Sequence, residues 1–339
     1  MGVLRHIRDL ANRALSPLEY ELARSAALYP WQHASVMIPP YVSGTLPEGA
    51  ENYLRPDNPR LRELQERYSQ CAPHVTEPAT WDDGHAGKVN LRYFRGSSPF
   101  VWQLIGRNLN ELGFALTAYY VKSIDRLGLL QILQEDGLFG AVTYAVDRRT
   151  VSRDLLDSIL EIYFLERHLA ISQRRDLRIL DIGAGYGRLA HRMLCALPNV
   201  ESYLCTDAVA AATFLCEYYL RFRGLEPRAR TVPLPDVEDV LKTVRVDIAV
   251  NIHSFSECPA AAVQWWMALL RRNEVPYLFL VPNGVARGTP VVLPDGAREL
   301  SQVIADHGYR LIAIEPKFAD PVVQEYGVSP SCCMLFQRA

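Results

Sequence analysis

The sequence predicts an α/β protein: a doubly wound, seven-stranded Rossmann-like sheet preceded by a mostly helical cap. Three observations predict it. Residues 179–187 read Ile-Leu-Asp-Ile-Gly-Ala-Gly-Tyr-Gly, a strand running into a turn with glycine at every second place, and Arg188-Leu-Ala-His-Arg-Met-Leu then opens a helical pattern. From residue 175 onward, strand and helix patterns alternate as a doubly wound sheet requires. The first 170 residues instead carry helix-like apolar spacing at 61–71, 100–124 and 152–170, with Pro and Gly dense between 39 and 99. The expected division is a substrate-recognition cap at 1–170 and a ligand-binding sheet domain at 171–339.

Within the second part, the first strand is expected at 177–182, the first helix at 188–197 and the second strand at 202–207. A helix follows at 208–223, closed by Gly224, with a third strand at 228–234. Val246-Asp-Ile-Ala-Val-Asn-Ile252 is the fourth strand. The helix at 260–272 follows Pro259, which a first helical turn accepts. A fifth strand at 277–281 stops at Pro282-Asn-Gly. A helix at 299–307 ends at Gly308, and strands at 310–314 and 331–336 complete the set.

Composition bounds the function. With 339 residues, 49% hydrophobic and 22% charged, the chain has the make-up of an ordinary globular protein. A net charge of −2 offers no electrostatic footprint for nucleic acid. Seven cysteines, with no C-x-x-C and no finger-like spacing to histidines, read as buried thiols in a reducing cytosol. No export signal and no run of eighteen apolar residues is visible, so the expected location is cytoplasmic, away from membranes.

The glycine turn carries the chemistry. Glycines there allow positive φ and let a ligand approach the backbone without meeting a Cβ. A dinucleotide site wants G-x-G-x-x-G, so that a pyrophosphate can sit on the helix N-terminus. Here the third glycine comes two places after the second, and Asp181 stands just ahead of the first, where its charge opposes a pyrophosphate. The acid suits an ammonium group, or water around a cationic ligand. Asp207 ends the second strand twenty positions past Gly187, about where an acid accepts from both ribose hydroxyls. The pattern Asp181-x-Gly183-Ala184-Gly185-x-Gly187 resembles motif I of the class I S-adenosylmethionine (SAM) methyltransferases, and SAM carries both an ammonium and a sulfonium. The seven strands, with a last pair joined by a loop, suit the methyltransferase version of the fold, in which the final strand enters antiparallel.

Residues just past strand four are privileged, because ligands bind outside the carboxyl ends of the strands. Strand four delivers Asn251-Ile-His253-Ser-Phe-Ser-Glu257. Methyl transfer to a hydroxyl needs the oxygen aligned and its proton removed, and a histidine within reach can act as general base. His253 is the first candidate, with Glu257 as the partner that orients it. Each has a plainer alternative: a histidine at a strand end also satisfies buried carbonyls, and Ser254 with Glu257 forms a capping box. Asn251 is a candidate for the methionine end and Asp236 for the adenine amine, although Pro233 and Pro235 also suit a loop. Arg153 could fork onto the cofactor carboxylate or pair within its own helix. Mg²⁺ held by His253, Glu257 and Asp82 or Asp83 stays open but is not favoured. Tyr119, Tyr120 and Trp102 read as core.

The segments Ser152-Arg-Asp-Leu-Leu-Asp-Ser158, Asp181-Ile-Gly-Ala-Gly-Tyr-Gly187 and Asn251-Ile-His-Ser-Phe-Ser-Glu257 together resemble the sugar O-methyltransferase family of bacteria, over roughly residues 90 to 339. The resemblance implies SAM-dependent transfer to a hydroxyl of a sugar or glycosylated small molecule, in polysaccharide or natural-product tailoring. A related group binds Mg²⁺ through aspartates beyond strands four and five. Here those strands end in Asn251 and in Pro282-Asn283, which weakens a metal site. The rivals are an N-methyltransferase acting on a metabolite amine, a nicotinamide oxidoreductase, and a catalytically silent SAM-binding scaffold. The expected partner is a small-molecule acceptor, and a homodimer stays open.

Overall fold

The computed structural model describes residues 43–76, 89–97, 110–283, 291–294 and 298–339, with isolated helical positions between 7 and 15. Asp82, Asp83, Trp102 and the first part of the helix expected at 100–124 lie outside the described residues.

The elements used below are α1 (Pro59–Tyr68), α2 (Glu111–Ile124), the hairpin β1 (Thr143–Val146) and β2 (Arg149–Ser152), and α3 (Arg153–Leu169). The sheet region follows with β3 (Leu177–Ile182), α4 (Arg188–Ala196), β4 (Val200–Thr206), α5 (Ala210–Phe222), β5 (Ala229–Thr231) and α6 (Val237–Thr243). It continues through β6 (Ile248–Ile252), α7 (Ala260–Arg272), β7 (Tyr277–Val281), α8 (Leu300–Asp306), β8 (Tyr309–Pro316), α9 (Pro321–Tyr326) and β9 (Cys332–Arg338).

The sheet has seven strands in the order β5-β4-β3-β6-β7-β9-β8. Strands β3 to β7 pair in parallel, and β9 enters antiparallel between β7 and β8. The expected fold class is the observed one. From β3 the chain winds outward through β4 and β5, then returns to the other side of β3 as β6. The carboxyl ends of β3 and β6 therefore flank a topological switch point, where such sheets open a crevice.

Both faces of the sheet are covered, so its strands read as continuous apolar runs. Leu180, Ile182, Ala249 and Leu280 pack on one face with α5 and α7, while Ile179, Tyr203, Val250 and Phe279 pack on the other with α3 and α4. Arg153–Leu165 and Leu169 are all buried, and nine of these fourteen residues pack into the core of that second face, starting from a Ser152 cap that accepts the Leu155 N–H at 3.1 Å. The division expected at residue 170 thus falls at the end of a helix that shares a core with the sheet.

Local differences from the sequence expectation have physical causes. The third strand shrinks to Ala229–Thr231 because Pro233 and Pro235 withdraw N–H donors and turn the chain into a short 3-10 segment, Leu234–Asp236. The hairpin β1–β2 and helices α6 and α9 are too short to have shown a clear period. Tyr119, expected in the core, is 53% exposed, and Cys195 is exposed where a buried thiol was expected. Among the described residues no helix is long and apolar enough to cross a membrane.

Candidate functional site

The turn after β3 adopts the conformation its glycines allow, with φ of +73° at Gly183, +58° at Gly185 and +86° at Gly187. Its backbone is tied inward. Gly183 and Ala184 N–H both donate to the Thr206 carbonyl (2.9 and 3.1 Å), and Gly187 N–H donates to the Ala184 carbonyl (2.9 Å). Gly185 N–H donates to Asp207 Oδ2 (2.9 Å). These four donors are spent within the protein, which leaves the turn poorly equipped to cradle a pyrophosphate.

Gly183 has a second reason to be glycine. A Cβ there would lie 2.4 Å from both Cβ and Oγ of Ser254, so the chain leaving β6 closes directly onto the turn. Asn251, fully buried, locks that closure: its Nδ2 donates to the Ile182 carbonyl (2.8 Å), and its Oδ1 accepts from the Phe255 N–H (2.9 Å). Asn251, the residue expected at the methionine end of a cofactor, clamps β6, β3 and the following segment together.

Asp207, half-buried past β4, accepts from Gly185 through one oxygen and from Val209 N–H through the other at 2.9 Å. A carboxylate offers about four acceptor positions, so two remain for a diol. Burial pushes Asp207 up to about 6, against its backbone hydrogen bonds, and the charge of nearby Glu257 adds to the rise. Asp181 is 3% exposed, and Tyr203 O–H donates to its Oδ2 at 3.0 Å. Burial pushes it up to about 7. Neither acid has an ion-pair partner among the described residues. Asp181 therefore offers the turn its field rather than an open contact.

The structure places Glu257 with Asp207 and Asn283, whose Nδ2 donates to Glu257 Oε1 at 2.7 Å, and not with His253. Among the described residues no hydrogen bond or ion pair joins Glu257 to His253; the short 3-10 turn Ser254–Glu257 lies between them in the chain. His253 itself has φ +68°, a left-handed conformation uncommon outside glycine. Its N–H donates to the Val281 carbonyl at 2.7 Å. Its ring meets a charged cluster on α3, and its Nδ1 is buried without a protein partner. Burial, then Arg153, brings it down to about 3.

Arg153 realises its plainer alternative: Nε donates to Asp157 Oδ2 at 3.0 Å, one helical turn on. Asp236 is met by Arg67 Nη2 at 2.6 Å. Nearby, the Tyr68 hydroxyl lies 2.6 Å from Thr213 Oγ1 and 3.1 Å from the Asp207 carbonyl, and it accepts from Leu234 N–H at 3.0 Å. Helix α1 thus fastens the loops after β4 and β5. Among the described residues no group of three or more His, Cys, Asp or Glu side chains could hold a metal ion.

Sequence reasoning passed over the residue inside the turn. Tyr186 is buried and donates to Asp154 Oδ2, which also accepts from Arg95 Nε at 3.1 Å. Arg95, wholly buried, further donates to Glu135 (2.7 Å) and Asp136 (3.2 Å), and Arg192 joins it on Glu135 (2.8 Å). Burial opposes a charge on Glu135, yet the two arginines hold it well below the usual carboxylate range. The one available signal was the density of Arg, Asp and Glu within stretches otherwise patterned as core.

No protein-family model matches the chain, and no curated protein is similar to it. Among solved structures it is similar to a SAM-dependent methyltransferase from Aquifex aeolicus (16% identity, 53% of this chain and 92% of that one, TM-score 0.35). It is also similar to magnesium protoporphyrin IX methyltransferase from Synechocystis with bound SAM (11%, 66% and 97%, TM-score 0.38) and to the [4+2]-cyclase SpnF (14%, 66% and 96%, TM-score 0.39). Likeness at this level transfers no chemistry.

Proposed function

We propose that the chain is a SAM-dependent methyltransferase acting on a hydroxyl of a sugar or glycosylated small molecule. One observation carries the cofactor reading. Two acids, buried Asp181 and half-buried Asp207, flank a glycine turn whose N–H donors at Gly183, Ala184, Gly185 and Gly187 are already used, and burial raises both acids toward neutral pH. Such a site favours a ligand bringing positive charge and hydroxyl donors and disfavours one bringing a pyrophosphate. SAM, with its ammonium, sulfonium and ribose diol, fits that description, and when bound it supplies a methyl group on a leaving sulfur.

The protein's own part follows from its residues. Asp207 takes the ribose hydroxyls on its two remaining acceptor positions, and Glu257 adds negative potential beside it. Asp181 stabilises the cation from beneath the turn. His253, neutral at physiological pH, accepts the acceptor's proton as its oxygen attacks. The hydroxyl and sugar preference rests on the three segments that resemble sugar O-methyltransferases. A cytoplasmic location is kept as an expectation of the same reading; a homodimer stays open, and Mg²⁺ assistance stays open but not favoured.

The deciding experiment is calorimetric titration with S-adenosylhomocysteine beside NADH, repeated on Asp207→Ala. Saturable binding of the first, weakened in the variant, supports the reading and justifies screening sugar acceptors with and without EDTA. Binding of NADH, or of neither, overturns it. One observation favours a second reading: an imidazole held down to about 3 is a weak base, and a neutral amine needs less help than a hydroxyl. Turnover that survives His253→Ala would assign N-methylation.

A further inference from the structure

His253 borders a small cavity of about 10 Å³ lined also by Asp157, Glu161, Lys317, Ser329 and Ser331. That is about the smallest cavity that admits a single water, and a water needs two to four polar partners to be held. The lining supplies them. Asp157 takes Lys317 on Oδ1 and Arg153 on Oδ2, and Glu161 takes Arg188 on both oxygens at 2.8 and 2.9 Å, so each carboxylate keeps acceptor positions to spare. Lys317 has no donor left: its ammonium also donates to the Val328 and Ser329 carbonyls at 3.0 and 2.9 Å. His253 Nδ1 is the polar atom at this cavity left buried without a partner.

We propose that one internal water fills this cavity, accepting from His253 Nδ1–H and donating to Asp157, so that Asp157 is the positioning residue that fixes the imidazole tautomer and leaves Nε2 bare. The direction of the bonds follows from the charges. Arg153, Asp157 and Glu161 face the ring from α3, Arg188 from α4 and Lys317 from the end of β8. The available lone pairs in that set belong to carboxylates, so a water there points its hydrogens at an acid and its lone pair at the ring. Of the two acids, Asp157 exerts the stronger field on His253. The consequence for catalysis rests on the methyltransferase reading above. The acceptor's O–H proton passes to Nε2, the oxygen lone pair forms the new O–CH₃ bond, and the S–CH₃ bond of the donor breaks.

The test needs no acceptor. In the full chain labelled with ¹⁵N-histidine at pH 7, long-range ¹H–¹⁵N spectra report the tautomer of each ring, and His253→Gln identifies the signals of His253. The expected result is a single tautomer protonated at Nδ1, becoming a mixture in Asp157→Asn. A ring protonated at Nε2 in the native chain overturns the proposal even if the variant does not fold. So does a tautomer unchanged in a folded Asp157→Asn. Titration of the same sample with S-adenosylhomocysteine scores the cofactor reading separately.

Discussion

Helix α3 carries two buried ionic clusters about one turn apart, and they are built on different terms. At its N-terminal turn, Arg95, Arg192 and Arg223 face Glu135, Asp136 and Asp154, so the charges balance. The glycine turn is anchored to this set through Tyr186. One turn later, Arg153, Arg188 and Lys317 form ion pairs with only Asp157 and Glu161 among the described residues, beside a histidine with an orphaned ring nitrogen. Burial raises Glu161 despite Arg188 and lowers Lys317 despite Asp157. The first cluster is balanced in charge and holds position, although Arg223 Nε is buried there without a partner; the second is left short of a negative charge and carries its orphan on a titratable ring, as a site awaiting a proton or a ligand would be.

The sharpest way to break this comparison is to remove one cation from each cluster. Arg95→Ala leaves two buried carboxylates under-compensated and is expected to cost about 3–5 kcal/mol in urea unfolding. Lys317→Met brings the second cluster to charge balance and loses two carbonyl bonds, for a smaller cost of about 1–3 kcal/mol. Equal losses would erase the distinction. Gly183→Ala adds a Cβ against Ser254 at a positive φ, and about 2–3 kcal/mol of strain is expected. Combining it with Ser254→Gly should recover part of that loss, since the backbone strain remains.

The acid ahead of the glycine turn and the acids of the first cluster predict opposite pH responses. Asp181 has a folded pKa of about 7, above its unfolded value, so its ionisation erodes stability as pH rises from the ordinary carboxylate range to about 7. Glu135 and Asp136 are depressed, so their contribution is present above that range and is lost as pH falls below it. Asp181→Asn should therefore raise stability at pH 8 by about 2 kcal/mol and leave pH 4 nearly unchanged. A flat difference across pH would remove Asp181 from the account. The smallest effect is expected at Arg67→Ala, a half-exposed pair with Asp236 worth about 0–1 kcal/mol.

What the sequence disclosed follows from locality. The glycine turn, the strands around it and the helix 260–272 were legible because each is written in neighbouring residues. Asn251 and Glu257 were legible as residues at the carboxyl edge of the sheet, but their partners Ile182, Phe255 and Asn283 were not, since no periodicity announces the 3-10 turn that follows β6. Arg95, Tyr68 and Lys317 were not singled out because their partners lie 59, 139 and 160 positions away. Helical and strand periods carry no record of such pairings.

The single hydroxyl of Tyr68 sets an order of assembly. Its partners at Thr213 and Leu234 lie 145 and 166 positions further along, so the loops after β4 and β5 can be fastened only once more than two hundred residues have been joined. Contacts of such separation form late, because the entropy of closing the long intervening loop must be met first. During synthesis, helix α1 emerges early and waits with an apolar face exposed while its counterpart is translated. The segments beside Asp207 are therefore fixed late in the growing chain, and α1 is where a chaperone would have reason to hold it.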